Sequence, residues 1–486
     1  MPRLGRWIGA SSIDICVRLV AQMAATVVIA RLLPPEDFGL AMLALSVAAL
    51  LGAFIGLPFE EALAQRPRIT MGHLGTALFS SLALAIAAIG IVLLIAAPVG
   101  AAIGAPDLAL WLPLATVFLL AQGPGSITRA LARRRRDFVE LAVCQSLSVV
   151  VATAIAIAVA VGGWGVLALV LQRMLPVALY PMLGAAMALS QGRSALVRPI
   201  FLRARFDEMF RFSWIYLANT AVHYAIPTVM TFLVNMLFGT RVLGQVNIAM
   251  RLAEPVRQGV QSVGHNLVFS LLTRFRAEPR MLVGEALEVV TRVASLAVPA
   301  FLGLAVVAPY ALPILAGPGW DAAIPLAQAF CVLAAVNAPF LYVFSGFSVL
   351  GRPEYELMSC LAGLAAVVGL LLLAARFEAT LGIGFAMIGS EIVMNGVGLA
   401  AAAYLGAGVA GPLFRILRVW LAAGAMALVI AALSPRFAAL GTPIPALLAS
   451  VAAGLLLYPL LLFLFCRPVF QFIKGMVLRR RREVTA

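Results

Sequence analysis

The chain has 486 residues, of which 63% are hydrophobic and only 11% charged, and its mean hydropathy is +1.06. Soluble domains carry about 25% charged residues, so this composition excludes an ordinary water-soluble enzyme and implies a polytopic membrane protein. The formal charge of +15 comes from 34 Arg and the single Lys474 against 20 acidic residues; in such a chain the positive-inside bias is its first explanation, and no nucleic-acid partner is expected.

Apolar segments long enough to cross about 30 Å of hydrocarbon recur fourteen times. In the first half they cover about 7–32, 37–58, 72–98, 107–130, 138–161 and 164–190. In the second half they cover about 209–238, 242–270, 282–315, 320–350, 355–375 and 380–405, and 413–433 and 444–466 follow. The first segment is too long for a cleavable signal peptide and carries Asp14 and Arg18. The five cysteines (Cys16, Cys144, Cys331, Cys360, Cys466) stand singly in apolar segments and read as small membrane-core residues.

The loops give the orientation. Alternate loops and the two tails hold 26 of the 35 basic residues, including Arg129, Arg133–Arg136 and Arg479–Arg482, whereas Arg31, Arg241, Arg376 and Arg436 lie on the other side. Both termini are therefore expected in the cytoplasm. Five arginines fall within the spans themselves: Arg18, Arg173, Arg251, Arg257 and Arg292.

Sliding the chain against itself shows a repeat. At an offset of 205, Asp14 meets Asn219, Arg18 meets His223, Thr26 meets Thr231 and Gly39 meets Gly244. At 216, Arg136, Glu140 and Cys144 meet Arg352, Glu356 and Cys360; at 219, Gly163 and Gly165 meet Gly382 and Gly384. The expected architecture is all-α. An N-terminal six-helix bundle (1–190) and a cytoplasmic linker (191–208) precede a C-terminal six-helix bundle (209–405). Helices 13 and 14 (406–466) and a basic cytoplasmic tail (467–486) complete it. Six spans per repeat give both halves the same orientation, so a pseudo-twofold along the membrane normal relates them, and bundles of this kind enclose a site between the halves.

The segment Ala30-Arg31-Leu32-Leu33-Pro34-Pro35-Glu36-Asp37-Phe38-Gly39-Leu40 resembles a connector of bacterial polysaccharide exporters. So do the Arg-rich turn before Asp137-Phe138 and the Gly163-Trp164-Gly165 turn. These exporters are the Wzx-type flippases of the multidrug/oligosaccharidyl-lipid/polysaccharide superfamily. The resemblance implies a transporter, not an enzyme, that moves an undecaprenyl-diphosphate-linked oligosaccharide across the bacterial inner membrane. Its expected partners are that substrate, membrane lipids, and polysaccharide polymerase and chain-length proteins.

Such a substrate needs a hydrated, cationic groove, and guanidinium forks suit a diphosphate. At spacings of four and three, Asn247, Arg251, Glu254, Gln258, Gln261 and His265 share one helix stripe. In a lipid-compatible chain that stripe is expected to face a water-filled cavity. Ser11, Asp14, Arg18 and Gln22 form a second stripe, with Asn219 and His223 on its repeat mate. Arg18 and Arg251 are the first candidates for the diphosphate, followed by Arg173, Arg257 and Arg292. The alternative for Asp14–Arg18 and Arg251–Glu254 is a local ion pair, and for Arg257 and Arg292 a snorkelling side chain.

The single lysine precedes Gly475 and follows no glycine-rich run, so no phosphate loop is present. No cofactor is expected; an H⁺ or Na⁺ gradient is the expected energy source, with Asp14, Glu254 and Glu391 as candidate ion-coupling carboxylates. Glu391 has a bland alternative, a hydrogen bond to a neighbouring helix. Two other functions stay open: a drug or small-metabolite antiporter of the same superfamily, and a polytopic glycosyltransferase or polymerase. The membrane-level arginines weigh against the first, the short outer loops and lack of Asp-x-Asp against the second.

Overall fold

The computed structural model describes residues 2–66, 68–192, 197–272, 278–352, 354–377, 380–439, 442–467 and 471. The side chains of 2–13, 65, 138, 211–216, 218–220, 261–272, 279, 348 and 438 lie outside the description, and with them those of Asn219, Gln261 and His265. The described elements are all helical. They begin with α1 (Pro2–Leu32), α2 (Pro35–Gln65), α3 (Met71–Ala102), α4 (Leu108–Val117) and, after a short 3-10 turn, α5 (Gln122–Arg135). Then come α6 (Phe138–Val161), α7 (Gly165–Ser190), α8 (Arg203–Phe238), α9 (Thr240–Leu272) and α10 (Pro279–Ala316). The last five are α11 (Ile324–Val349), α12 (Glu354–Arg376), α13 (Leu381–Tyr404), α14 (Ala410–Ala438) and α15 (Pro443–Phe465). Helices dominate because hydrocarbon offers no partner for backbone N–H and C=O groups, and a helix satisfies them internally.

By length and composition, 13 of these segments are membrane spans among the described residues, the broken pair α4–α5 counting as one, Leu108–Arg135. The expected fourteenth is α9, as long as its neighbours at 33 residues but not among the 13. Its polar stripe lowers its hydropathy.

The break in the fourth span has a local cause. Pro124 has no N–H to give to the carbonyl four residues earlier, and the backbone tightens into the 3-10 turn Phe118–Ala121. Gly52 and Gly56 of α2 let this irregular stretch approach: a Cβ on Gly56 would stand 2.8 Å from the Gln122 side chain.

The described residues divide into two compact units, Met1–Gly244 and Gln245–Ala486. The sequence repeat counts α8 with the second half, from residue 209, whereas packing places it in the first unit because α8 lies along α2. The first unit is built round α2, which also touches α3, α4, α5 and α7. Phe59, Leu63, Leu74, Ile127 and Met209 form a buried cluster there. The backbone leading into α8 is fastened to α3 by Ile200 N–H donating to the Gly75 carbonyl and Leu202 N–H to Thr76 Oγ1, both at 3.2 Å. In the second unit α10 packs on α11, α14 and α15, and α13 on α11 and α12. The Tyr310 hydroxyl meets the Ser434 hydroxyl at 2.6 Å, and Tyr458 Oη donates to the Ser295 carbonyl at 2.6 Å, tying α14 and α15 to α10.

Candidate functional site

In the described part of the α9 stripe, side chains bond to one another along the helix. Arg251 Nε donates to Asn247 Oδ1 at 3.0 Å, one turn back. Arg257 grips both oxygens of Glu254, at 2.9 and 2.8 Å, and Gln258 donates to Glu254 Oε1 at 2.7 Å. Glu254 is thus the hub for Arg257 and Gln258. Pro255, in the middle of the stripe, removes the helical hydrogen bond to the Arg251 carbonyl. Tyr342 Oη of α11 donates to the Val260 carbonyl at 3.1 Å and holds this segment within the second unit.

On α1, Asp14 is buried and pairs with Arg18 at 2.9 Å, while Ser146 Oγ of α6 donates to its other oxygen at 2.6 Å. Arg18 Nε–H is buried with no partner among the described residues. Of the remaining candidates, Arg173 on α7, His223 on α8 and Arg292 on α10 are exposed on their helices.

Glu391 of α13 accepts a hydrogen bond from Asn337 Nδ2 of α11 at 2.8 Å. One turn further along α13, Asn395 is buried, and neither amide atom has a partner among the described residues. Spacing of four puts Asn395 on the stripe of Glu391. The two amides and the carboxylate offer oxygen donors to a proton or a small hard cation. No group of three or more His, Cys, Asp or Glu residues fit to hold a metal occurs among the described residues.

Sequence reasoning missed a second charged cluster, at the arginine-rich ends of the helices. Glu60 of α2 is 1% exposed and is held by Arg129 at 2.7 Å and Arg133 at 3.2 Å; Arg133 also reaches Glu61 at 3.0 Å. Arg129 lies over the Tyr180 ring at 5.4 Å. The signal was present: two glutamates close the second span on the side where the arginines cluster, a pairing hidden when those arginines were assigned to topology alone. Nearby, Glu208 pairs with Arg66 at 2.8 Å and takes a hydrogen bond from His73 Nε2 at 3.3 Å. These bonds, His73 first and then Arg66, hold its carboxyl below the usual range. His73 Nδ1 accepts from the Thr70 backbone N–H at 3.1 Å, which leaves Nε2 to donate.

At the opposite ends of the helices, α2 crosses the start of α9. A Cβ on Gly39 would overlap the Thr240 carbonyl, and one on Gly244 would overlap that of Pro35. Arg241 Nε lies 3.5 Å from Glu36. Only glycine allows backbones this close.

The model of the polysaccharide biosynthesis protein family matches residues 28–325. The chain is 22% identical over 320 residues to the lipopolysaccharide biosynthesis protein WzxC of Escherichia coli K12, covering 64% of this chain and 63% of that protein. It is 24% identical over 314 residues to the succinoglycan biosynthesis transport protein ExoT of Rhizobium meliloti, covering 64% and 62%. The matched region thus spans just under two thirds of each of these relatives. In fold it is similar to the lipid II flippase MurJ in an inward closed conformation, with a TM-score of 0.72 at 12% identity over 95% of this chain and 99% of that one. It also resembles an inward-facing multidrug resistance MATE transporter of the MOP superfamily, with a TM-score of 0.61 at 16% identity over 82% and 99%. The fold is shared with these two transporters, and the chain belongs to the polysaccharide biosynthesis protein family.

Proposed function

We propose that this chain is a flippase that carries a polyprenyl-diphosphate-linked oligosaccharide from the inner to the outer leaflet of the bacterial cytoplasmic membrane. The observation that supports it most directly is Arg18: a guanidinium on a membrane-spanning helix, fixed by a buried carboxylate, with one N–H left for an acceptor. Burying a charge at membrane depth costs several kcal/mol, and a phosphate oxygen satisfies such a donor with a charge-assisted bond. Arg251, Arg257, Asn247 and Gln258 place further guanidinium and amide groups along one helix of the second unit.

Coupling is assigned to Glu391. Binding a proton or Na⁺ beside Asn337 and Asn395 would neutralise a carboxylate in an apolar setting, and a gradient of that ion would drive the cycle. The arginine bias of the loops supports a cytoplasmic position for both termini. A polysaccharide polymerase and a chain-length protein would receive the product.

Deleting the gene in its host should trap lipid-linked repeat units on the inner leaflet, read by their accessibility to an impermeant enzyme. Unchanged glycolipid distribution with new dye sensitivity would overturn the reading in favour of a drug antiporter. In reconstituted vesicles Arg18→Ala and Arg251→Ala should each slow translocation at unchanged protein level; wild-type rates in both would remove these residues from the site.

A further inference from the structure

A groove of about 260 Å³ lies between α2 and α3 in the first unit, and all ten residues that line it are apolar. Val47, Leu51 and Phe54 form one wall, Leu84, Ile91 and Ile95 the other; the last three are 46%, 57% and 43% exposed, so it opens sideways to the bilayer. On α2 the same stripe runs on at helical spacing through Pro58 to Glu61, about 15 Å from Leu51. There Glu61 holds Arg133, whose side chain is 45% exposed. On α3 the stripe continues to Ser80, one turn beyond Leu84. Ser80 is 6% exposed, and its hydroxyl has no partner among the described residues.

We propose that this groove and Arg133 form an entry site for one prenyl chain and its diphosphate, a step that rests on the flippase reading. A pocket for a whole drug-sized ligand has roughly 300–1,000 Å³, so this groove takes a length of chain while the head lies outside. Hydrocarbon moving from lipid to an apolar groove gains no hydrophobic free energy, so the anionic head must select the occupant. Arg133 can turn its fork from Glu61 to a phosphate without stranding Glu60, because Arg129 keeps that buried carboxylate paired. Ser80 supplies a hydroxyl on the path between head and tail. A single methyl-branched chain fits a one-chain groove, whereas a glycerophospholipid brings two.

The test uses the full-length protein in phosphatidylcholine nanodiscs and a radiolabelled, sugar-free polyprenyl diphosphate. Wild type should bind it, with phosphatidylglycerol a poor competitor. Arg133→Gln should weaken binding by about tenfold, the size of one lost charge-assisted contact, and Leu51→Trp, which fills the groove and bars the chain sterically, should weaken it at least as much. Arg133→Lys, which keeps the charge without the fork, should lie between and reports on folding. Absent binding by wild type, wild-type binding by both variants, or equal competition by phosphatidylglycerol overturns the site. Leaflet transport in parallel vesicles reads the parent assignment separately. Transport by wild type with unaltered binding by the variants sinks the groove alone; groove-dependent binding without transport sinks the flippase reading alone.

Discussion

The two units each hold a glutamate between helices, in opposite ways. Glu60 of the first unit is surrounded by cations: Arg129 and Arg133 both reach it, and a tyrosine ring covers Arg129. Glu391 of the second unit receives an amide hydrogen bond from Asn337, and no arginine or lysine pairs with it among the described residues. A carboxylate locked between two guanidinium groups holds both helices in place. One held by a neutral amide can be ionised or protonated without breaking an ion pair, so the two positions suit different work, anchoring in one unit and exchange in the other.

That contrast can be broken at four points. Glu60→Gln leaves two guanidinium groups around a neutral amide, and breaking a buried pair costs about 3–5 kcal/mol. Thermal unfolding in detergent should show a large drop, and an unchanged midpoint would mean that Glu60 anchors nothing. Glu391→Gln keeps the shape and the acceptor for Asn337, so stability should change by less than about 1 kcal/mol, while translocation loses its dependence on an ion gradient. Gradient-dependent transport in that variant would remove Glu391 from coupling. Asn395→Leu replaces an unpaired buried amide by a side chain of similar size and should stabilise by about 1 kcal/mol; a loss of stability would show that something occupies the amide.

The smallest effect belongs to a surface carboxylate, Glu208. Its depressed pKa contributes stability above the ordinary carboxylate value of about 4.5, lost as pH falls through the lower folded value. Protection from hydrogen exchange at 197–208, taken relative to the intrinsic rate at each pH, should therefore fall as pH drops below about 4.5, and Glu208→Gln should remove that dependence. Equal profiles in both proteins would assign the hold of the backbone leading into α8 to Ile200 and Leu202 alone.

The helical spans were legible because hydrocarbon imposes a length and a polarity that the sequence displays directly: the expected 138–161 and the observed Phe138–Val161 coincide. The 3-10 break was not anticipated. Pro124 is plain in the sequence, but the form of the break also depends on Gly52 and Gly56, about seventy residues away. Local pairs on one helix, Asp14–Arg18 above all, followed from spacing. Pairs between helices did not, since nothing in the order of residues states that Glu60 faces Arg129 or that Asn337 faces Glu391. Spacing allowed Arg251 as a partner for Glu254; the bidentate grip observed is that of Arg257, at the same spacing of three on the other side of the carboxylate.

The crossing of α2 with the start of α9 has one further consequence. Adding 205 to Pro35, Glu36 and Gly39 gives Thr240, Arg241 and Gly244. The contacts observed are Pro35 with Gly244, Glu36 with Arg241 and Gly39 with Thr240. A set of contacts that maps onto itself when the two members are exchanged is an isologous interface. Exchanging the two members would put each charge where the other stands, so an acidic residue at both positions would repel itself across the seam, and the opposite charges of Glu36 and Arg241 turn that repulsion into attraction.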